Sequence, residues 1–532
     1  MNLSILLVAS VILLCVLVEK FSDKFGMPAL IFFMFIGMLF GSDGIFKIPF
    51  DDFKLAENIC SIALIFIMFY GGFNTKWQAA KSVAGKAILL STAGVIITAG
   101  ITTLLCRIVL KMSVAESFLI GSVLSSTDAA SVFAILRKNK LNLKDGTASI
   151  LELESGSNDP FSYLLTIVAI SLVHTGGAGN VFSTIAGQLM IGILVGIILA
   201  KLTLFILTKT TLVSDGLDTI YMIATVLICY ALTAFLGGNA YLSVYLFGIV
   251  TGNHRIPKKL EIIPFFDGVT SLAQILIFFL IGLLTFPHEM PQIIPTAFAI
   301  VVFLTLIARP IAVFVLLKPF QCSWNQCLLI AWSGLRGASS SVFAIMAVAA
   351  GVSMKQELFH IVFMVSLFSV AIQGTLLPKV AKSLNMVDDQ ADVRKTFNDY
   401  QEETAFQLMK LHIPADHNWV NKLVKNVTMP TGSLALMIQR NGESLITKGN
   451  TMILAEDDII LSVPPYSPSG SEKLQERFIE KDDSWCNKPI SELKISKNKL
   501  IAMVIRNDQP IIPDGNTMIQ ENDVVVFITV KS

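Results

Sequence analysis

The chain has 532 residues, 54% hydrophobic and 15% charged, with a mean hydropathy of +0.69 and a formal net charge of +1. Soluble domains carry about 25% charged residues, so an ordinary soluble protein is excluded, and the balanced charge gives no footing for nucleic acid. The seven cysteines lie mostly inside apolar runs without metal-ligand spacing, which makes them small buried hydrophobes.

The opening run, MNLSILLVASVILLCVLVEK, has no basic leader and no small-residue cleavage site before the next apolar run. It predicts a first spanning helix. Apolar runs then continue to about residue 382, predicting helices over 3–20, 28–42, 57–73, 84–110, 114–136, 146–173 and 180–208. Six more follow over 216–235, 238–253, 265–285, 291–317, 325–350 and 357–382. With the N-terminus outside, Lys20, Lys24, Lys76, Lys81, Arg137, Lys138, Lys140, Lys144, Lys209, Arg255, Lys258, Lys259, Lys318, Lys379 and Lys382 fall on the cytoplasmic side. The other side keeps Lys47, Lys54, Arg107, Lys111 and Lys355. This positive-inside bias fits thirteen helices and leaves the C-terminal tail in the cytoplasm.

After a linker over 383–399 the chain becomes polar, with short β-branched runs between turns. A gap-free shift of 66 residues superimposes Trp419 on Trp485, Asn421 on Asn487, Arg440 on Arg506, Asp457 on Asp523, and one GNTMI string on the other. Two tandem modules, 400–465 and 477–532, follow from that repeat. The expected fold is therefore an all-α polytopic bundle followed by a cytoplasmic α+β regulatory region.

A second repeat sits inside the membrane part. GSVLSSTDAASVFAI (121–135) and AWSGLRGASSSVFAI (331–345) share SVFAI behind a small-residue, charged centre. By the helix count, the fifth and twelfth helices that hold them run in opposite directions. Such inverted repeats predict helices broken at mid-membrane whose ends face an ion.

Ionisable groups within spanning helices cost about 2.5–3.5 kcal/mol each on insertion scales, so each needs a reason. They are Asp128, Glu154, Asp159, Arg309 and Arg336; Lys201, Lys318 and Asp267 lie near predicted ends and can snorkel. In LELESGSNDPFSYLL, helical spacing puts Ser155 and Asp159 on one face, with Glu154 and Asn158 on the adjoining stripe. Pro160 frees a backbone carbonyl beside them. Asp159, Ser155 and a Thr127 oxygen offer the oxygen ligands that a hard alkali cation takes. The same carboxylate can hold a proton instead of a cation, which is the least that an exchanger needs. Asp128 reads either as a second ligand or as a cap on the broken ends. Glu154 and Arg336 are expected to form a buried ion pair, with Arg309 seeking Asp218 or Asp267. A potassium channel would need a TVGYG-type filter, which is missing, and the GxGD context of an intramembrane aspartyl protease is missing too.

The strings STDAASVFAIL, LELESGSNDP and SGLRGASS resemble the cation/proton antiporter-1 family, over residues 1 to about 382. The resemblance implies a homodimer in a bacterial inner membrane that exchanges K+ or Na+ for H+. It implies ion-site positions at Thr127, Ser155, Asn158 and Asp159, with Asp128 at the helix crossing and Glu154–Arg336 as the family's buried pair. It links the Asn158-Asp159 dipeptide to electroneutral exchange. Many members carry an acid before the Gly-Gly of the third helix, where this chain has Tyr70. The tail repeats resemble TrkA-C modules, which implies a small regulatory ligand such as a nucleotide and tilts the cation towards K+. No cofactor is expected.

Overall fold

The protein is described by a computed structural model over residues 2–25, 28–139, 141–175, 181–210, 216–254, 256, 259–352, 354, 358–388, 407–415, 417–427, 429, 433–440, 443–463, 472–479, 483, 485–493, 499–506, 509–511, 513–521 and 523–530. It divides into two compact units, Met1–Asn398 and Asp399–Ser532.

Among its described residues the first unit is built of helices joined by loops, and each predicted spanning segment overlies a helix or a broken pair. The first three segments are Asn2–Phe25, Ala29–Phe40 and Phe53–Asn74. The fourth is Ala84–Ile108, and the fifth is split into Val114–Val123 and Ala129–Lys138. The sixth to tenth are Thr147–Thr175, Val181–Lys209, Asp218–Phe235, Ala240–Gly252 and Lys259–Leu283. Met290–Phe320 is the eleventh, Trp324–Trp332 with Ala338–Ala349 the split twelfth, and Leu358–Ser383 the thirteenth. Among the described residues, seven are long and apolar enough to cross a membrane by length and composition alone. The two split segments fall short of that length because each is interrupted halfway.

Local chemistry sets the helix ends. Ser113 and Glu116 form a reciprocal capping box before the fifth segment, and Ser323 caps the twelfth. Asn239, 0% exposed, caps the ninth segment through the Leu242 amide and donates to the carbonyl of Pro160. The Gly-Gly-Asn turn thereby ties the ninth helix to the sixth, one residue beyond Asp159. Packing follows the small-residue rule of membrane bundles. Gly248 and Gly252, one turn apart, press against the backbone of Phe69 and Phe73, so a side chain there would push the third and ninth helices apart. Outward positions such as Leu13, Ile96, Ile198 and Leu306 stay exposed, as lipid-facing positions do.

The tail consists of two copies of one β module. In the first, β1 (Gln407–Ile413), β2 (Leu434–Arg440), β3 (Glu443–Ile446) and β4 (Asp457–Val463) form an antiparallel sheet in the order β1-β4-β2-β3. In the second, β5 (Glu472–Phe478), β6 (Lys488–Pro489), β7 (Lys499–Arg506), β8 (Gln509–Ile511), β9 (Met518–Ile519) and β10 (Val524–Val530) include the matching sheet β5-β10-β7-β8. The β6–β9 ladder pairs Pro489 with Met518, as a single bridge pairs Leu423 with Met452 in the first copy. The same shift of 66 carries the core Ile413, Ala435, Ile438, Ile453 and Ile459 onto Ile479, Ile501, Val504, Ile519 and Val525. It also carries the salt bridge Arg440–Asp457 onto Arg506–Asp523, each 2.8 Å long.

Candidate functional site

The helical hydrogen-bond ladder stops at Val123 and restarts at Ala129, and stops again at Trp332 and restarts at Ala338. The two unwound stretches meet: the Asp128 amide donates to the carbonyl of Leu335 at 2.8 Å. Broken helices leave orphan carbonyls at one end and orphan amides at the other. The Asp128 carboxylate accepts from the amide and hydroxyl of Ser131, capping the second half of the fifth segment. It also lies against Gly337, where any side chain would collide with it, so it stands beside the start of the second half of the twelfth segment as well. Arg336 answers the opposite pole, its Nη1 donating to the carbonyls of Ser125 at 3.2 Å and Ser126 at 2.5 Å. Opposite charges thus complement opposite helix poles. Of the two roles open to Asp128, the geometry displays capping.

The sixth segment crosses these breaks. Ser155 Oγ donates to the Thr127 carbonyl at 2.8 Å, and Asn158 Nδ2 donates to Thr127 Oγ1 at 2.6 Å. Asp159, 5% exposed, accepts from Ser126 Oγ, which lies 2.7 Å from Ser339 Oγ on the twelfth segment. Among the described residues no basic side chain pairs with Asp159, and the buried Asn158 Oδ1 has no hydrogen-bond donor. An orphaned buried acceptor costs about 1–3 kcal/mol. It belongs to the residue that precedes Asp159 in the sixth segment, and its own amide nitrogen is engaged by Thr127. Thr127, Ser155, Asn158 and Asp159 are thus brought together, while the Asp128 carboxylate is engaged by Ser131 at the helix start. Ser126 and Ser339 were missed in the sequence. They stand in serine runs where only the unwound backbone decides which hydroxyl faces the carboxylate.

The ion pairs differ from expectation. Glu154 lies 2.6 Å from Arg309 Nη2, with both side chains at most 4% exposed, so Arg309 is its partner and Arg336 is not. Arg309 accordingly takes neither Asp218 nor Asp267. The reason is register: Gly334 leaves room for the Arg309 side chain beside the twelfth break, while the Arg336 guanidinium is already drawn to two helix-end carbonyls.

A cavity of about 470 Å³ leads to the site, with Asp159, Ser155, Asp128 and Ser339 in its wall. Glu19, Glu152 and Asp267 also line it, and among the described residues no lysine, arginine or histidine does. Tyr70, which replaces the family's acid, donates to Asp267 at 3.2 Å across this space. On the tenth segment Asp267, Thr270, Ser271 and Gln274 all face the cavity. That i, i+3, i+4, i+7 polar stripe was legible in the sequence, but reading Asp267 as a snorkelling end residue obscured it.

Two crossed, broken helices around a buried carboxylate, reached by an acid-lined cavity, define a secondary transporter for a cation. Residues 8–383 match the family described as sodium/hydrogen exchanger, transmembrane, and residues 474–532 match the TrkA-C domain. The chain belongs to the sodium/hydrogen exchanger family. It is 32% identical to the K(+)/H(+) antiporter NhaP of Alkalimonas amylolytica, over 86% of this chain and 81% of that protein. It is 31% identical to the K(+)/H(+) antiporter NhaP2 of Shewanella baltica, over 83% and 77%. Its fold matches the sodium proton antiporter MjNhaP1 from Methanocaldococcus jannaschii with a TM-score of 0.64 and 22% identity, covering 72% of this chain and 99% of that one.

Proposed function

We propose that this multi-pass membrane protein is an electroneutral K+/H+ antiporter in which Asp159 binds either one cation or one proton. The orphaned Asn158 Oδ1 beside an acid that lacks a basic partner carries the reading. Charge balance supports the stoichiometry. Glu154 pairs with Arg309, and Asp128 and Arg336 answer opposite helix poles, which leaves the Asp159 negative charge without a compensating partner among the described residues. One monovalent cation cancels it, and so does one proton, so the loaded centre has the same charge on both legs. Asp159, the Asn158 amide oxygen, Ser155 and Thr127 would hold the cation once the cluster opens, and the acid-lined cavity would concentrate it. The K+ preference rests on the two K(+)/H(+) antiporters named above.

The tail is read as a cytoplasmic ligand-sensing region. Residues 400–465, whose sheet repeats that of the second copy, act as a second TrkA-C-type module, and a nucleotide is the ligand class in view. The chain leaving the membrane unit supplies a coupling route: Val387 bridges Leu143, and the Asp388 amide donates to Asn142. That loop joins the fifth and sixth segments, which carry the proposed site. The lipid-facing helices, the basic loops and the family resemblance support a homodimer in a bacterial inner membrane with the N-terminus outside.

The test is exchange in everted vesicles, with K+ and Na+ added in turn and an imposed membrane potential. Proton movement on K+ addition, at a rate indifferent to the potential, is the expected result. A rate that follows the potential at fixed pH gradient would overturn one-for-one exchange.

A further inference from the structure

The two halves of the ion site are copies of one another, and the second copy is not idle. A shift of 210 residues carries the SVFAI of the fifth segment onto that of the twelfth. It also carries the sixth segment, Thr147–Thr175, onto the thirteenth, Leu358–Ser383, within a few residues. Under that shift Ser126 falls on Arg336 and Asp159 falls on Ser369. The contacts repeat as the sequence does. Ser126 donates to Asp159, and the Arg336 amide donates to Ser369 Oγ at 3.0 Å. At this level the sixth helix carries Pro160, and the thirteenth turns into a π-helix over Ser369–Gly374.

In the second copy serine replaces the acid, and the positive charge is tethered. The Arg336 guanidinium extends across the crossing and holds the Ser126 carbonyl, while the hydroxyl of the same Ser126 meets Asp159. Behind Arg336, Ser369 Oγ donates to Gln373 Oε1 at 2.5 Å. Gln373 is tied in turn to Trp332, whose Nε1 donates to the Gln373 backbone carbonyl at 3.1 Å while Gln373 Nε2 donates to the Trp332 carbonyl at 3.4 Å. Ser369 and Gln373 are 0% and 3% exposed, so these bonds lie in the protein interior. The chain of contacts runs Gln373, Ser369, Arg336, Ser126, Asp159.

We propose that Ser369 and Gln373 are positioning residues for cation exchange, acting through Arg336 and Ser126 on the Asp159 carboxylate. This rests on Asp159 being the exchange site. A site preorganised by buried second-tier bonds loses affinity when one of them is removed, by the worth of about one hydrogen bond, or three- to tenfold. Loss of the Ser369 hydroxyl lets the Arg336 backbone drift, and the Ser126 hydroxyl drifts with it.

The test uses the full chain in everted vesicles, with K+ as the varied cation. Ser369→Ala should raise the half-saturating K+ concentration about three- to tenfold and displace the pH profile, with the maximal rate within about twofold. Ser369→Thr, which keeps the hydroxyl, should restore both. Gln373→Met should move both readouts in the same direction by less, and it carries the test if Ser369→Ala fails to fold by size exclusion. An unchanged half-saturation and pH profile in folded variants would overturn the proposal, as would a loss confined to maximal rate. Asp159→Asn in the same vesicles separates the two readings. If it still exchanges, the site assignment fails. If it is dead while Ser369→Ala behaves as wild type, only the positioning role fails.

Discussion

In the tail, Asp457 and Asp523 are fully buried and each sits in the fork of an arginine, Arg440 or Arg506, through two hydrogen bonds of 2.8–2.9 Å. In the membrane unit, Asp159 is almost as buried and is met by hydroxyls instead. The tail acids are neutralised permanently, so they serve as fixed staples, once in each repeat. Asp159 has no basic partner among the described residues, which is what the proposed exchange of cation for proton requires. Glu154, paired with Arg309 a turn and a half away, shows that the membrane unit can build the static kind too. On the proposed function, the contrast separates acids that hold the fold from the one acid left free to exchange its counter-ion.

Asp159→Asn breaks the contrast most completely. Exchange should fall by about a hundredfold or more, to the vesicle background, because an amide cannot trade a proton for a cation. Size exclusion should still report a folded protein. Next is Arg309→Ala, which strands Glu154 at 1% exposure and should cost about 3–5 kcal/mol of stability. Glu154→Gln should recover part of that loss. The same rescue should fail for Arg336→Ala, whose guanidinium holds carbonyls; if it succeeds there, the pairing is wrong.

The tail staples sharpen the other side. The Arg440 hydrogen bonds hold the Asp457 carboxyl below its ordinary range. A depressed folded value means the stabilisation is complete above the unfolded value, near pH 4, and drains away as pH falls through the folded one. Protease resistance of the tail in urea should therefore weaken below about pH 4. Arg440→Ala should lower it at neutral pH by about 1–3 kcal/mol, with exchange at saturating cation unaltered. The smallest effect is expected from truncation after Asp388, which keeps the bridge to the Asn142 loop. Exchange should persist with an altered pH profile or ligand response. A truncated protein that folds yet transports nothing would make the tail part of the ion path.

Much of this was legible from residues alone. Apolar run length placed the helices, a fixed 66-residue period exposed the tandem modules, and a proline beside the only NDP string marked Asp159. The partner of Glu154 was not, because sequence spacing orders residues along one helix and says nothing of which turn of a neighbour lies opposite. Arg309 and Arg336 are both buried and both near; the room beside Gly334 and the pull of the Ser125 and Ser126 carbonyls decide between them. Ser126 was overlooked for a related reason. Helical geometry cannot be applied to Leu124–Asp128, the stretch that is not helical.

The central claim is that cation and proton compete for one carboxylate. It is tested most directly by measuring the half-saturating K+ concentration of the wild-type protein at successive pH values. Strict competition at one group makes that concentration climb to a limiting tenfold per pH unit as the medium is acidified, with the maximal rate unaffected. A half-saturation independent of pH, or a limiting slope of a hundredfold per unit, would contradict it.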